Sequence, residues 1–259
     1  MSIDLELDGK SVLVTGGTKG VGRGIAERFL EAGADVAICG RNAPETLPRG
    51  GGREAVFFAS DVRDVEQAKA LVDAVVARFG KLDVLVNNAG GSPPADAATA
   101  SPRFSEAIIR LNLIAPLNLA QIANAAMQKQ AQGGVIINIA SVSGIRPSPG
   151  TAAYGAAKAG LLNLTTSLAQ EWAPKVRVNA ITAGMIRTEQ ADLFYGGEAG
   201  IAVIDAAQPM KRIAMPADIG NACLYLASAL AGYVTGARLD VHGGGERPPF
   251  LEQAESAKG

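Results

Sequence analysis

A single α/β domain built on a doubly wound, mostly parallel sheet is the fold class this chain predicts, and three observations predict it. Short apolar runs recur seven times along the 259 residues, stretches of helical periodicity lie between them, and a glycine-rich turn joins the first run to the first helical stretch. Strand, helix and strand in repetition give a parallel sheet that needs helices on both faces. The length admits one large domain or two small ones, and with 48% hydrophobic residues one shared core is the simpler expectation.

The elements follow in order. SVLVTG (11–16) is a buried strand that runs into the helical pattern GVGRGIAERFLEAGA, and DVAICG (35–40) is the second strand. RNAPETLPRGGGRE (41–54) carries two prolines and three consecutive glycines where a crossover helix would stand, so a loop with at most one helical turn is expected. AVFFASD (55–61) is the third strand, and VEQAKALVDAVVARFG is a helix with apolar positions 65, 68, 71, 72, 75, 76 and 79. LDVLVNNAG (82–90), GGVIINIAS (133–141), VRVNAITAG (176–184) and ARLDVHGG (237–244) complete seven strands. The long irregular stretch 185–215, with FYGGEAG inside it, has the character of a lid over a ligand within a domain spanning 1–245. ERPPFLEQAESAKG (246–259) is a C-terminal extension that packs on a partner or stays mobile.

Charge and composition remove several classes of function. Lysine plus arginine (24) nearly balance aspartate plus glutamate (25), so no global field favours nucleic acid or an anionic membrane surface, and any anion site is local. Cys39 and Cys223 lack CxxC spacing and His242 is the one histidine, so neither a disulfide framework nor a metal site is expected. The start, MSIDLELDGK, lacks the basic and apolar regions of a signal peptide, and no apolar stretch reaches membrane length. Cytoplasmic location is the default expectation.

Chemistry concentrates in two places. In VLVTGGTKGVGRGIAERF, glycines 16, 17, 20, 22 and 24 let the backbone turn sharply and let a pyrophosphate approach the free N–H groups at the helix start, although tight strand-to-helix packing selects glycine too. In AAYGAAKAGLLNL (152–164), Tyr154 and Lys158 are four residues apart, so on a helix both polar heads share one face. An ammonium about 4 Å from a phenol, at an effective dielectric near 20, is worth about 4 kcal/mol toward the phenolate, with burial opposing it.

These residues resemble the short-chain dehydrogenase/reductase superfamily. TGGTKGVG fits its TGxxxGxG turn, NNAG (87–90) its motif after the fourth strand, and YGAAK its YxxxK; Ser141 lies thirteen residues before Tyr154, and Asn112 in RLNLIAPL matches the helix asparagine. The resemblance implies a Rossmann-like fold and a catalytic set of Asn112, Ser141, Tyr154 and Lys158. Tyr154 would be the general acid in carbonyl reduction and the base in alcohol oxidation. Lys158 would also bind the nicotinamide ribose, Ser141 hold the substrate oxygen, and Asn112 support a water relay toward Lys158. For the cofactor it implies contacts from Gly16, Thr18, Lys19, Gly20, Val21 and Gly22, with Asp61 and Val62 at the adenine and Asn88, Ala89 and Gly90 beside the ribose. Gly184, Ile186 and Thr188 would lie at the nicotinamide end, although Ala183-Gly184 stands where many members carry Pro-Gly. Arg41 and Lys19 occupy positions where basic residues mark NADP preference, so NADP(H) is expected ahead of NAD(H). The implied partners are a small carbonyl or alcohol substrate and a homodimer or homotetramer. Two other readings stand beside this one: a 3-oxoacyl-(acyl carrier protein or CoA) reductase, and a dinucleotide-binding scaffold or sensor without turnover.

Overall fold

The computed structural model describes residues 4–189, 191, 195–246, 248 and 250. Seven parallel strands form one sheet: β1 (Ser11–Thr15), β2 (Asp35–Gly40), β5 (Val56–Ala59), β6 (Val84–Asn87), β7 (Gly134–Ser141), β8 (Val176–Ala183) and β9 (Arg238–Val241). Their spatial order is β5-β2-β1-β6-β7-β8-β9, and every pairing is parallel. β2 matches its apolar run, and the other strands are shorter than theirs; the residues that follow β1, β5, β6 and β8 within those runs belong to the turns that carry the site.

Helices cover both faces. α1 (Gly20–Glu31) and α7 (Pro216–Ala227) pack on one side, where Ile25, Phe29 and Ile219 meet Val12, Val14 and Ile181. α2 (Val65–Phe79), α4 (Ala115–Met127) and α5 (Ala152–Trp172) pack on the other, where Leu71, Leu119 and Leu168 meet Leu13, Leu85 and Ile136. In α2 the side chain of Asp64 accepts from the N–H groups of Glu66 and Gln67 and Gly80 closes the C-terminus, while Val65 at the first turn is exposed, unlike the rest of its predicted apolar stripe.

Three departures from expectation have local causes. The 41–54 connection is more than a loop: β3 (Arg49–Gly50) and β4 (Arg53–Glu54) form a small antiparallel hairpin, since Gly51 and Gly52 both take positive φ (56° and 75°), as a tight two-residue turn requires. Between α3 (Pro102–Ile109) and α4 the helix widens into a π turn at Arg110–Ile114. Pro116 has no N–H to offer the carbonyl four residues back, at Asn112, and its ring crowds that carbonyl. Finally, 185–215 contains a helix, α6 (Gly197–Ala207), and its two ends are pinned together by a bridge between Ile186 and Ala214. Residues 190, 192–194 and most of 247–259, including most of the expected C-terminal extension, lie outside the described residues.

Candidate active site

Sheet order reverses direction beside β1. The chain passes from β1 out to β2 and β5, then crosses back to lay β6 on the other side of β1, and the crevice beyond the strand ends there is where open α/β sheets bind ligands. A cleft of about 510 Å³ occupies that crevice, within the usual range of roughly 300–1,000 Å³ for small-molecule sites. Every expected site residue except Asn112 lines it. Ser60 and Arg63, which sequence reasoning did not single out, line it as well, as do Gly91 and Glu189, the latter within the expected lid.

At the β1–α1 turn the glycines divide into two jobs. A Cβ on Gly22 would sit 2.3 Å from the carbonyl oxygen of Gly16 and 2.4 Å from Asn88 Nδ2, so the turn closes only without one. Gly17 and Gly24, counted with the phosphate turn from sequence, instead allow packing: their Cβ atoms would meet Ile38 at 2.5 Å and Pro216 at 2.4 Å. The turn is stapled to the β6 end, where Asn88 Nδ2 donates to the Thr15 carbonyl (2.8 Å) and the N–H groups of Asn88 and Ala89 both donate to Thr15 Oγ1 (2.9 Å). The open cradle and the N–H groups at the start of α1 fit a dinucleotide pyrophosphate. In this structure the carboxylate of Glu189 reaches that helix start and accepts from Gly20 N–H at 3.1 Å.

On the adenine side, Asp61 does not stand alone. Arg63 Nε donates to its carboxylate at 2.9 Å, and this bond, with the charges of Arg63 and Arg41, holds the Asp61 carboxyl below the ordinary aspartate range. Thr18, Lys19, Arg23 and Arg41 border a recess that opens from the cleft at the end of β2. Arg23 is committed to Glu27 and to the carbonyls of Thr46 and Leu47, whereas Lys19 and Arg41 form no ion pair among the described residues.

The far wall is α5. Tyr154 and Lys158 face the cleft one turn apart, with the Lys158 ammonium 5.6 Å from the Tyr154 ring centre. Lys158 is buried, and Nζ donates to the Ile139 carbonyl at 2.7 Å. A buried network ties this helix to the sheet: Asn87 Nδ2 donates to Asn138 Oδ1, Asn138 Nδ2 to Thr165 Oγ1, and Thr165 Oγ1 to the Leu161 carbonyl. Ser141 ends β7 and accepts from the Ser143 N–H at 3.2 Å, so it caps the following turn and also hydrogen-bonds Tyr154. Asn112 sits behind the wall in the π turn, buried, with Oδ1 accepting from Gly91 N–H and Nδ2 donating to the carbonyls of Gly91 and Ile108, all at 2.9 Å. Gly90 lies between it and Lys158: a Cβ there would be 2.6 Å from Asn112 Oδ1 and 3.4 Å from Lys158 Nζ.

The electrostatics correct one expectation. Sequence arithmetic set the Lys158 charge against burial and favoured the phenolate, but burial dominates: it pushes Tyr154 up, with the Ser141 hydrogen bond as the opposing influence and Tyr195 adding to the rise. Burial also brings Lys158 down from 10.5 to about 8. Cys39 and Cys223 are buried thiols, raised by desolvation, the first to about 12, which fits small hydrophobes better than nucleophiles. Gly184 packs against His242, where a Cβ would come within 2.8 Å of His242 Cα, and this explains glycine at that position without the Pro-Gly pair. Among the described residues no group of three or more His, Cys, Asp or Glu is arranged to hold a metal ion, and no helix is long and apolar enough to cross a membrane.

Comparison with known proteins follows the same lines. A family model described as Enoyl-(Acyl carrier protein) reductase matches residues 16–246. The chain is 36% identical over 246 residues to the 3alpha-hydroxysteroid dehydrogenase of Mediterraneibacter gnavus (92% of this chain, 97% of the relative). It is likewise 36% identical over 242 residues to the 3-oxoacyl-[acyl-carrier-protein] reductase of Chlamydia trachomatis (91% and 96%). Among solved structures, ligand-free aldohexose dehydrogenase of Thermoplasma acidophilum superposes with a TM-score of 0.86 at 30% identity, covering 93% of this chain and 96% of that one.

Proposed function

The chain belongs to the short-chain dehydrogenase/reductase family of oxidoreductases, and on that premise we propose that it moves a hydride between NADP(H) and a ketone or secondary alcohol, with Tyr154 as general acid and base. The observation that carries this reading is the convergence of Tyr154, Lys158 and Ser141 on one wall of a cleft whose other end is the glycine turn. When bound, the nicotinamide supplies or accepts the hydride. The chain's own residues position the partners and handle the proton. Ser141 holds the substrate oxygen, and Tyr154, kept protonated by burial, donates its proton to that oxygen as reduction proceeds; oxidation returns the proton to Tyr154. Lys158 holds the nicotinamide ribose and keeps positive charge at neutral pH beneath the phenol, since its pKa is about 8. Asn112 acts at one remove, fixing the Gly90-Gly91 backbone in front of Lys158 and supporting a water relay toward it. Lys19 and Arg41 hold the extra phosphate of NADP. We place the enzyme in the cytoplasm, as a homodimer or homotetramer, with residues 185–215 as a lid.

Similarity to the Chlamydia reductase supports a second reading, reduction of a 3-oxoacyl thioester. Its docking helix would offer an acidic carrier only Lys129 in ANAAMQKQAQGG, so it ranks second. A single experiment tests both: NADPH and NADH oxidation against a ketone panel that includes a 3-oxoacyl thioester, with Tyr154→Phe alongside. Turnover of ketones with NADPH that falls by about 10²–10⁴-fold in Y154F, with dinucleotide binding retained, is the expected result. Preference for the thioester promotes the second reading. Equal behaviour of the two proteins refutes the catalytic one and leaves a dinucleotide-binding scaffold or sensor.

A further inference from the structure

Gly184 lines the main cleft and also a second cavity of about 120 Å³, and Val142, next to Ser141 in the chain, lines that cavity too. Its polar lining is Arg146, Gln208, His242 and Glu246, and its apolar lining includes Ile145 and Met185. Gln208 is 5% exposed, and among the described residues its side-chain amide makes no hydrogen bond. His242 Nδ1 is also buried without a partner among the described residues, while Nε2, the other ring nitrogen, lies 3.9 Å from the Asp240 carboxylate. Arg146 NH1 donates to the Pro147 carbonyl, and NH2 donates to the carboxylate of Glu246, which folds the start of the C-terminal segment over the cavity.

We propose that this cavity is a substrate subsite for an uncharged, hydroxylated end of the molecule whose carbonyl or carbinol reacts beside Tyr154, so that the substrates are polyhydroxylated alcohols and ketones. The inference rests on the Tyr154-centred reading given above and extends it to a substrate class. An apolar group would leave the Gln208 amide and His242 Nδ1 buried and unsatisfied, which native sites avoid. An anion would have to take Arg146 from Glu246 and then face that carboxylate. Hydroxyl groups meet every demand at once: they accept from Arg146 and from the amide nitrogen of Gln208, donate to Glu246 and to the amide oxygen, and can either donate to or accept from His242 Nδ1. At about 120 Å³, against about 510 Å³ for the main cleft, the space suits a short hydroxylated segment better than a long acyl chain.

The test uses the full chain with saturating oxidised dinucleotide and three probes: an inositol, cyclohexanol and 3-hydroxybutyrate. Calorimetry measures binding, and steady-state oxidation measures kcat/KM. Binding of the inositol at least tenfold tighter than cyclohexanol is expected, with that ratio falling about tenfold in Gln208→Leu and in Arg146→Met. Glu246→Gln, at a solvent-exposed position, lowers the same ratio and is the variant to use if Q208L is poorly folded. The proposal is overturned if the inositol does not bind, if cyclohexanol or 3-hydroxybutyrate binds more tightly, or if the ratio survives all three substitutions. Inositol binding that depends on these residues without any turnover would instead leave the subsite standing and refute the placement of the reacting carbinol beside Tyr154.

Discussion

Replacing Lys158 with methionine separates what a buried ammonium costs the fold from what it does in the cleft. The folded-state pKa is about 8 against 10.5 for the free side chain, so burial opposes charge by about 3 kcal/mol at 1.36 kcal/mol per pKa unit. A depressed folded pKa makes the sign definite. Lys158 contributes nothing unfavourable above 10.5, where both states are neutral, and that relative stability is lost as pH falls through 8, below which the full penalty applies. Between pH 7 and pH 10 the linkage integrates to roughly 2–3 kcal/mol. Methionine has no proton to lose, while the lost hydrogen bond to Ile139 shifts its stability by an amount that does not vary with pH. Urea denaturation of both proteins, free of dinucleotide, at pH 7, 8, 9 and 10 therefore measures the Lys158 contribution as a difference in which the other titrating groups cancel. The native protein should gain roughly 2–3 kcal/mol on K158M across that range. A difference that stays flat would mean that Lys158 is solvated in the native state and that the burial argument is wrong.

Other perturbations test neighbouring parts of the cleft. Glu189→Gln removes a carboxylate from the helix start that the dinucleotide phosphates would occupy; at about 0.5–1 kcal/mol for a charge at an exposed helix N-terminus, dinucleotide affinity by fluorescence titration should improve about two- to fivefold, and weaker binding would show that Glu189 closes the cleft over the ligand. Gly22→Ala places a Cβ against the Gly16 carbonyl and the Asn88 amide, so Tm should fall by an amount corresponding to about 1–3 kcal/mol and dinucleotide binding with it; an unchanged Tm would contradict the closeness of that turn. Arg41→Ala should weaken NADPH about 10- to 100-fold while leaving NADH within about twofold, read from the two kcat/KM values, and an equal loss for both would remove Arg41 from phosphate recognition.

What the sequence disclosed and what it hid follow from the range of the interactions concerned. Tyr154 and Lys158 were legible because a helical period of four residues is enough to put both on one face, and the β1–α1 turn was legible because its glycines immediately follow an apolar run. Roles that depend on residues far apart in the chain were not. Gly17 and Gly24 are indistinguishable in sequence from Gly22, yet what excludes a side chain at each is Ile38, Pro216 and the Gly16 carbonyl in turn, and only the folded chain brings Pro216 against α1. The short range of Arg63 from Asp61 offered a usable signal, an opposite charge two residues away at a strand end, whereas Glu189 meets Gly20 across 169 residues and offered none. The Tyr154 pKa failed for a related reason. A pairwise charge can be estimated from spacing, but desolvation is a property of everything packed around the group, here α5 held to the sheet through Asn87, Asn138 and Thr165. The same reasoning explains the cavity beside Gly184. Arg146, Gln208, His242 and Glu246 carry no sequence signal that joins them to one another, and what gives them meaning is that the Gln208 amide and an unpartnered imidazole nitrogen meet the Arg146–Glu246 ion pair in one cavity.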